Sequence, residues 1–317
     1  MKKKFSSAVK IGGGLLAVVM TPSVVHACAC GCGVFDVATS YMFPNGPGGM
    51  AWLQYDYMDQ NQDWSGLEPG QADNNPDKEI QTHFITAGLQ YMFNEHWGAQ
   101  VEIPYDFRYF KGTDVAGNVT SYSWSQLGDI RLEGIYAFDN QSAGVTFGVK
   151  LPTGEYNVDP SANVNNPAGL VDRDTQIGTG STDILLGGFY RGNLTQDEKW
   201  NWFAQGLFDA PTLVQAGYRP GFELDTSAGI SYQGAQLGRA TVMPIGQLIV
   251  SERTHDVGSQ ANPANSGYQR LMISPGVEVH IHPVSIYADI EVPVLQNFKG
   301  NQLAAQVLYK CSVSWMF

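Results

Sequence analysis

Between Trp97 and Phe110 the chain alternates. Ala99, Val101, Ile103, Tyr105, Phe107 and Tyr109 hold the odd positions, and Gln100, Glu102, Asp106 and Arg108 the even ones. A period of two puts these sets on opposite faces of a β-strand. Four polar or charged groups on one face cannot all enter an ordinary core without matched partners. The same alternation recurs at the other end of the chain: Tyr309, Cys311, Val313, Trp315 and Phe317 share one parity, and Lys310, Ser312, Ser314 and Met316 the other. Between these come Ala51, Leu53, Tyr55 and Tyr57 in residues 50–58, and Ile85, Ala87, Leu89, Tyr91 and Phe93 in residues 79–93. Residues 122–138 read as one strand, with Tyr122, Trp124, Ile130, Leu132, Tyr136 and Phe138 on one face and Asp129, Arg131 and Glu133 on the other. Val145, Phe147, Val149 and Leu151 oppose Thr146 and Lys150 in the next. Further strands are expected over 181–191, 200–208, 222–233, 239–253, 268–281, 284–295 and 302–317; Pro244 blurs the limits of the 239–253 strand.

The connections fall into two classes. Tight turns such as 94–96 and 139–141 alternate with longer loops, among them an acidic one over 59–78, broken by Gly66, Pro69, Gly70 and Pro76, and one over 154–180. Short turns at one end, long loops at the other and an apolar-out, polar-in alternation predict an all-β fold: a transmembrane antiparallel up-and-down β-barrel of about twelve strands. An even strand count puts both ends of the wall on one side, expected to be periplasmic. Two aromatic girdles follow: Tyr91, Phe93, Trp97, Tyr136, Phe138, Trp315 and Phe317 near that side, and Tyr55, Tyr57, Tyr105, Phe107, Tyr109, Tyr122 and Trp124 near the other.

Composition agrees. Only 15% of residues are charged, 12% are aromatic, and there are 36 glycines. Residues 1–27 read as a secretory signal: Lys2, Lys3, Lys4 and Lys10, an apolar run over 11–25, and a small-residue site at Ala27. Losing those four lysines moves the formal charge from −12 to −16, which excludes a nucleic-acid partner. Residues 28–48 form a Cys/Gly-rich segment, a candidate lumen plug, and 49–317 the barrel.

Two resemblances add to this. A last strand ending in Trp315 and Phe317 resembles the carboxy-terminal assembly signal of bacterial outer-membrane barrels, which implies outer-membrane lipid and the barrel-assembly machinery as partners. The stretches Gly148-Val149-Lys150-Leu151-Pro152-Thr153-Gly154 and Gly178-Thr179-Gly180-Ser181-Thr182-Asp183 resemble outer-membrane transporters of the phenol-degradation MetA-like family, which implies a small-molecule channel.

The inward parity collects Asp56, Glu102, Asp106, Arg108, Asp129, Arg131, Glu133, Lys150, Asp183, Arg191, Asp225, Glu278, Asp289, Glu291 and Lys310. Acids outnumber bases, so the expected channel prefers cations weakly; a salt-bridged, side-chain-filled lumen is the competing expectation. Cys28, Cys30 and Cys32 could bind Cu or Zn through thiolates, with His280 and His282 near enough to complete a site. Disulfide pairing, or lipidation at Cys28, explains the same residues. Asp172, Arg173 and Asp174 lack the spacing of a Ca²⁺ loop and are expected to be solvated. No Gly-x-Ser-x-Gly motif occurs, and His83, His96 and His255 have no evident nucleophile partner, so an enzyme is not expected. The leading function is passage of a small solute, and the alternative a metal-binding envelope protein.

Deleting Phe317, or replacing it with Asp, is expected to reduce folded barrel in the outer membrane severalfold, read as loss of heat-modifiable migration on gels; unchanged migration would contradict the terminal signal.

Overall fold

The computed structural model describes residues 43, 44, 46–113, 117–139, 141–159 and 172–317. The expected signal segment, residues 1–27, and Cys28, Cys30 and Cys32 lie outside them. Fourteen strands follow in order: β1 (Gly48–Gly66), β2 (Glu68–Pro69), β3 (Asp77–Met92), β4 (Trp97–Thr113), β5 (Val119–Leu127), β6 (Ile130–Ala137), β7 (Ala143–Leu151), β8 (Asp183–Asn193), β9 (Trp200–Pro211), β10 (Glu223–Tyr232), β11 (Ala235–Leu237), β12 (Ala240–Arg253), β13 (Tyr268–Ile281) and β14 (Val284–Met316). All pairs are antiparallel, and the sheet closes because β10 pairs with β12 and β1 with β14. The closure extends one residue beyond β14: Gly49 N–H donates to the Phe317 carbonyl at 2.7 Å, and Phe317 N–H to Gly49 at 2.9 Å.

β14 crosses the wall twice. Its residues up to Phe298 pair with β13, and those from Phe298 onward pair with β1. Met316 N–H donates to the Pro283 carbonyl at 2.9 Å, so the two ends lie side by side. The reversal passes through Gly300, whose φ of 71° suits a residue without Cβ. Eleven elements form the ring, with β2, β5 and β11 beside it; counting β14 twice gives the twelve crossings that the sequence predicts.

Two expectations need correction. The acidic stretch is largely strand: β1 runs on to Gly66 and β3 begins at Asp77, so the connection is shorter than 59–78. The 122–138 strand is broken, and its parity inverts. β5 pairs with β4 from Tyr105↔Leu127 onward, and β6 pairs with it from Glu102↔Arg131. Between those pairs Ile103 and Pro104 on β4 face Gly128, Asp129 and Ile130. One extra residue is a β-bulge, and it turns every side chain before it to the other face. Tyr122 and Trp124 therefore point inward, packed against Ile80, Phe110 and Leu303, while Ser121, Ser123 and Ser125 are exposed.

Over most of the remaining wall the alternation holds, with further register shifts where β1 passes Gln60 against β14 and where β13 passes Leu271 against β14. On β1, Leu53 is 56% exposed while its neighbours Trp52 and Gln54 are buried. Leu89, Tyr91, Ile103, Tyr105, Phe107, Leu132, Phe147, Val313 and Trp315 are likewise exposed around the wall. An apolar surface of that extent fits hydrocarbon, not water.

This orientation yields a paired prediction. Val101→Arg puts a guanidinium on the outer face and is expected to cost about 2–4 kcal/mol in a bilayer. Gln100→Arg points inward, where Gln100 Nε2 donates to Glu102 at 3.0 Å, and is expected to cost under about 1 kcal/mol. Denaturant-dependent folding into lipid vesicles measures both; equal costs would contradict the assignment.

Candidate functional site: the lumen and its inward loop

The inward face is not an open polar tube. Met58, Phe84, Leu185, Leu207, Ile249, Met272, Ala305 and Leu308 reach in from opposite walls and form one apolar cluster. A second joins Met92, Ile135, Ala137, Phe189, Phe203, Ile245 and Tyr287 to Phe43, from the segment before β1. Phe43 stacks on Phe189 with ring centroids 5.0 Å apart, and Arg191 donates to the Pro44 carbonyl at 2.8 Å. Met243, Ile245 and Ile249 along β12 mark successive levels: a vestibule of about 510 Å³, then the Phe43 cluster, then the Met58 cluster. Side chains and Phe43 thus fill much of the lumen, as the filled-lumen expectation has it.

The charged groups between these clusters pair with one another. Lys150 bridges Asp183 at 2.5 Å and Asp209 at 2.6 Å. Arg131 lies 3.7 Å from Glu102, and Lys310 lies 3.6 Å from Glu291 and faces Asp56 across the β1–β14 seam. Asp289 accepts from Gln247, Ser274 and Tyr287 at 2.7 to 3.0 Å. Asp225 is buried, and Glu133 is half-buried opposite Gly148. Asp209 lies one residue past the expected 200–208 strand, on its inward parity, and Arg270 shares the inward parity of β13; continuing the alternation finds both. Phe43 precedes the first strand, and no periodicity points to it.

The described residues of the β7–β8 connection, 152–159 and 172–182, turn into the barrel. Arg173, Thr175, Gln176, Ile177 and Ser181 are buried, and two groups fix the turn. Arg108 donates to the carbonyls of Thr175 at 2.7 Å and Gln176 at 3.2 Å, and its Nε to Thr82 at 3.0 Å. Asp129, at the bulge, accepts from Gly154 N–H at 2.9 Å and from Thr179 through N–H at 2.9 Å and the hydroxyl at 2.6 Å. The two Gly-rich stretches meet here: a Cβ on Gly154 would lie 2.7 Å from Gly178 Cα, so neither glycine can carry a side chain without displacing the other. Arg173 is not solvated as expected; it lies between the rings of Tyr156 and Tyr218, 4.3 and 5.1 Å from their centroids. Burial pushes the neighbouring Asp174 carboxyl well above the usual carboxylate range, and Asp172, Asp256 and Asp77 add to the shift.

Between this loop and the wall is a cavity of about 120 Å³. Trp52, Phe84, Pro104 and Ile177 supply apolar surface, and Gln54, Asp56, Glu102, Asp106, Asp129, Arg131 and Lys150 supply polar groups. An apolar cavity of roughly 150 Å³ accommodates benzene; this one is somewhat smaller, so one small ring is the most it holds.

Glu278 and His280 instead line the vestibule at the end where the chain enters and leaves the wall. His280 Nδ1 is 2.7 Å from Ser285 Oγ, and its ring centroid lies 6.2 Å from that of His282. Among the described residues no group of three or more His, Cys, Asp or Glu is arranged to hold a metal ion. Cys311 is free and exposed on the outer face. His83 bonds the Tyr55 hydroxyl at 2.8 Å on that same face.

Asp129→Ala removes all three hydrogen bonds that Asp129 makes to the loop. It is expected to destabilise the loop by about 2–3 kcal/mol, read as roughly hundredfold faster amide exchange at Gly154 and Thr179; unchanged exchange would contradict the role given to Asp129.

Comparison with known proteins follows the same lines. Residues 68–172 match the model of a family described as a putative MetA-pathway of phenol degradation. No curated protein sequence matches the chain. Among solved structures, an outer membrane channel from Pseudomonas putida F1 superposes with a TM-score of 0.59 at 11% identity, covering 89% of this chain and 99% of that one. The beta domain of the Bordetella autotransporter BrkA gives 0.51 at 12% identity, covering 86% and 100%. The chain therefore has the fold of outer-membrane β-barrels and, over the stretch that carries the bulge and β7, resembles the phenol-degradation MetA-pathway family in sequence.

Proposed function

We propose that this protein is an outer-membrane channel for a small, largely uncharged solute with an apolar ring, and not an enzyme. The observation that carries the reading is the ring-sized cavity held between the wall and the inward loop, inside a barrel whose outer face is apolar. The match to a phenol-degradation family supports it. The end with the short turns, and with both ends of the wall, faces the periplasm in this reading, and the longer loops face outward.

The filled lumen shapes what passes. Apolar layers across a pore expel water and resist ions. The expected weak cation preference survives only in the residual ion current, because acids exceed bases on the inner face while most lie close to a cation or a hydrogen-bond donor. In vesicles with a lipopolysaccharide leaflet, which slows direct permeation of apolar solutes, the protein is expected to speed catechol entry several-fold, exclude sucrose, and show small, cation-weighted conductance. Sucrose entry with large ohmic conductance would identify an open general pore; no acceleration of either solute would refute a channel.

A further inference from the structure

The polar groups around the cavity fall into two kinds. Most are satisfied by the protein: Asp129 by the loop, Lys150 by Asp183 and Asp209, Arg131 by Glu102. Asp106 differs. It is buried, it lines the cavity, and its Oδ1 has no hydrogen-bond partner among the described residues. Arg108, two residues further along the same face, is engaged by Thr82 and the loop carbonyls. Asp56 repeats the pattern more weakly: its Oδ2 accepts from Gln54 at 2.8 Å, and its Oδ1 has no partner. With the carboxyls ionised, both unsatisfied atoms are acceptors.

A buried acceptor left unpaired is costly, so a group that satisfies it gains from entering. Sites built to hydrogen-bond a polar substituent discriminate strongly against analogues that lack it. The ring faces of Trp52 and Phe84, with Pro104 and Ile177, supply the complementary apolar surface. We propose that Asp106, assisted by Asp56, makes this cavity a specificity site for ring-bearing solutes whose polar end donates a hydrogen bond, such as phenols and arylamines, and bars solutes bearing a carboxylate. The proposal rests on the channel reading and names the solute class at its cavity.

The test is equilibrium binding, which is independent of flux. Purified full-length protein in detergent is titrated calorimetrically with phenol, aniline, toluene and benzoate, against micelle-only references. Phenol and aniline are expected to bind one to a chain and about tenfold more tightly than toluene, with no benzoate binding. In Asp106→Leu the phenol-to-toluene ratio is expected to fall to about one, and in Asp106→Asn, which keeps the volume and an acceptor but loses the charge, phenol binding is retained and benzoate becomes measurable. Heat-modifiable migration verifies that the variants fold. Toluene or benzoate binding to the wild-type protein as tightly as phenol would overturn the proposal, whether or not the variants fold, as would an undiminished phenol preference in a folded Asp106→Leu protein. A ladder that holds while vesicle flux is absent would refute the channel and leave the binding site standing; flux without the ladder would refute the site and leave the channel.

Discussion

A sheet with an apolar outer face around its whole circumference cannot have an open edge, because hydrocarbon offers no partner to an unpaired backbone N–H or C=O. Closure is the constraint on which everything else here depends. It is made by β1 against the returning half of β14, from Met50↔Met316 at one end to Gly66↔Phe298 at the other, and extended by the reciprocal Gly49–Phe317 bonds. Once the ring is closed, a period-two strand must send alternate residues inward. Asp56, Glu291 and Lys310 converge beside that seam because the outer face has no place for them. The charge pairs of the lumen are thus a consequence of the wall, and they hold the inner face together without opening it.

One departure from strict alternation converts the wall into a site. The extra residue at Gly128 and Asp129 turns Tyr122 and Trp124 inward on one side of it and leaves Asp129 buried at the break. A buried carboxylate at a bulge needs donors, and the nearest are the amides of Gly154 and Thr179. Satisfying Asp129 draws the β7–β8 connection into the barrel, and the cavity is the space left between that connection and the wall. Bulge, loop and cavity form one causal chain, as expected where bulges re-aim side chains beside functional sites.

Most strands were legible because each stave carries its own alternation: the 97–110, 268–281 and 302–317 segments could be placed from local pattern alone, whereas 200–208 alternates poorly. The inversion before Gly128 could not be read that way. A bulge is a count of residues against a partner strand, and nothing within 122–138 states how many residues of β4 lie opposite. The inward turn of Arg173 and Ile177 was hidden for a similar reason, since it is set by Arg108 and Asp129, which are distant in sequence. The two Gly-rich stretches did mark the place: their glycines are small because Gly154 and Gly178 touch, a contact that only the closed fold brings about.

The central claim is that solute passes through a cavity with room for about one ring and not through a water-filled tube. The dependence of flux on solute concentration tests this most directly. Initial entry of catechol into lipopolysaccharide-leaflet vesicles, corrected for protein-free vesicles, is predicted to saturate, because each chain holds one solute at a time in the cavity beside Asp106. Entry that rises linearly to the solubility limit would contradict the account and show an open pore.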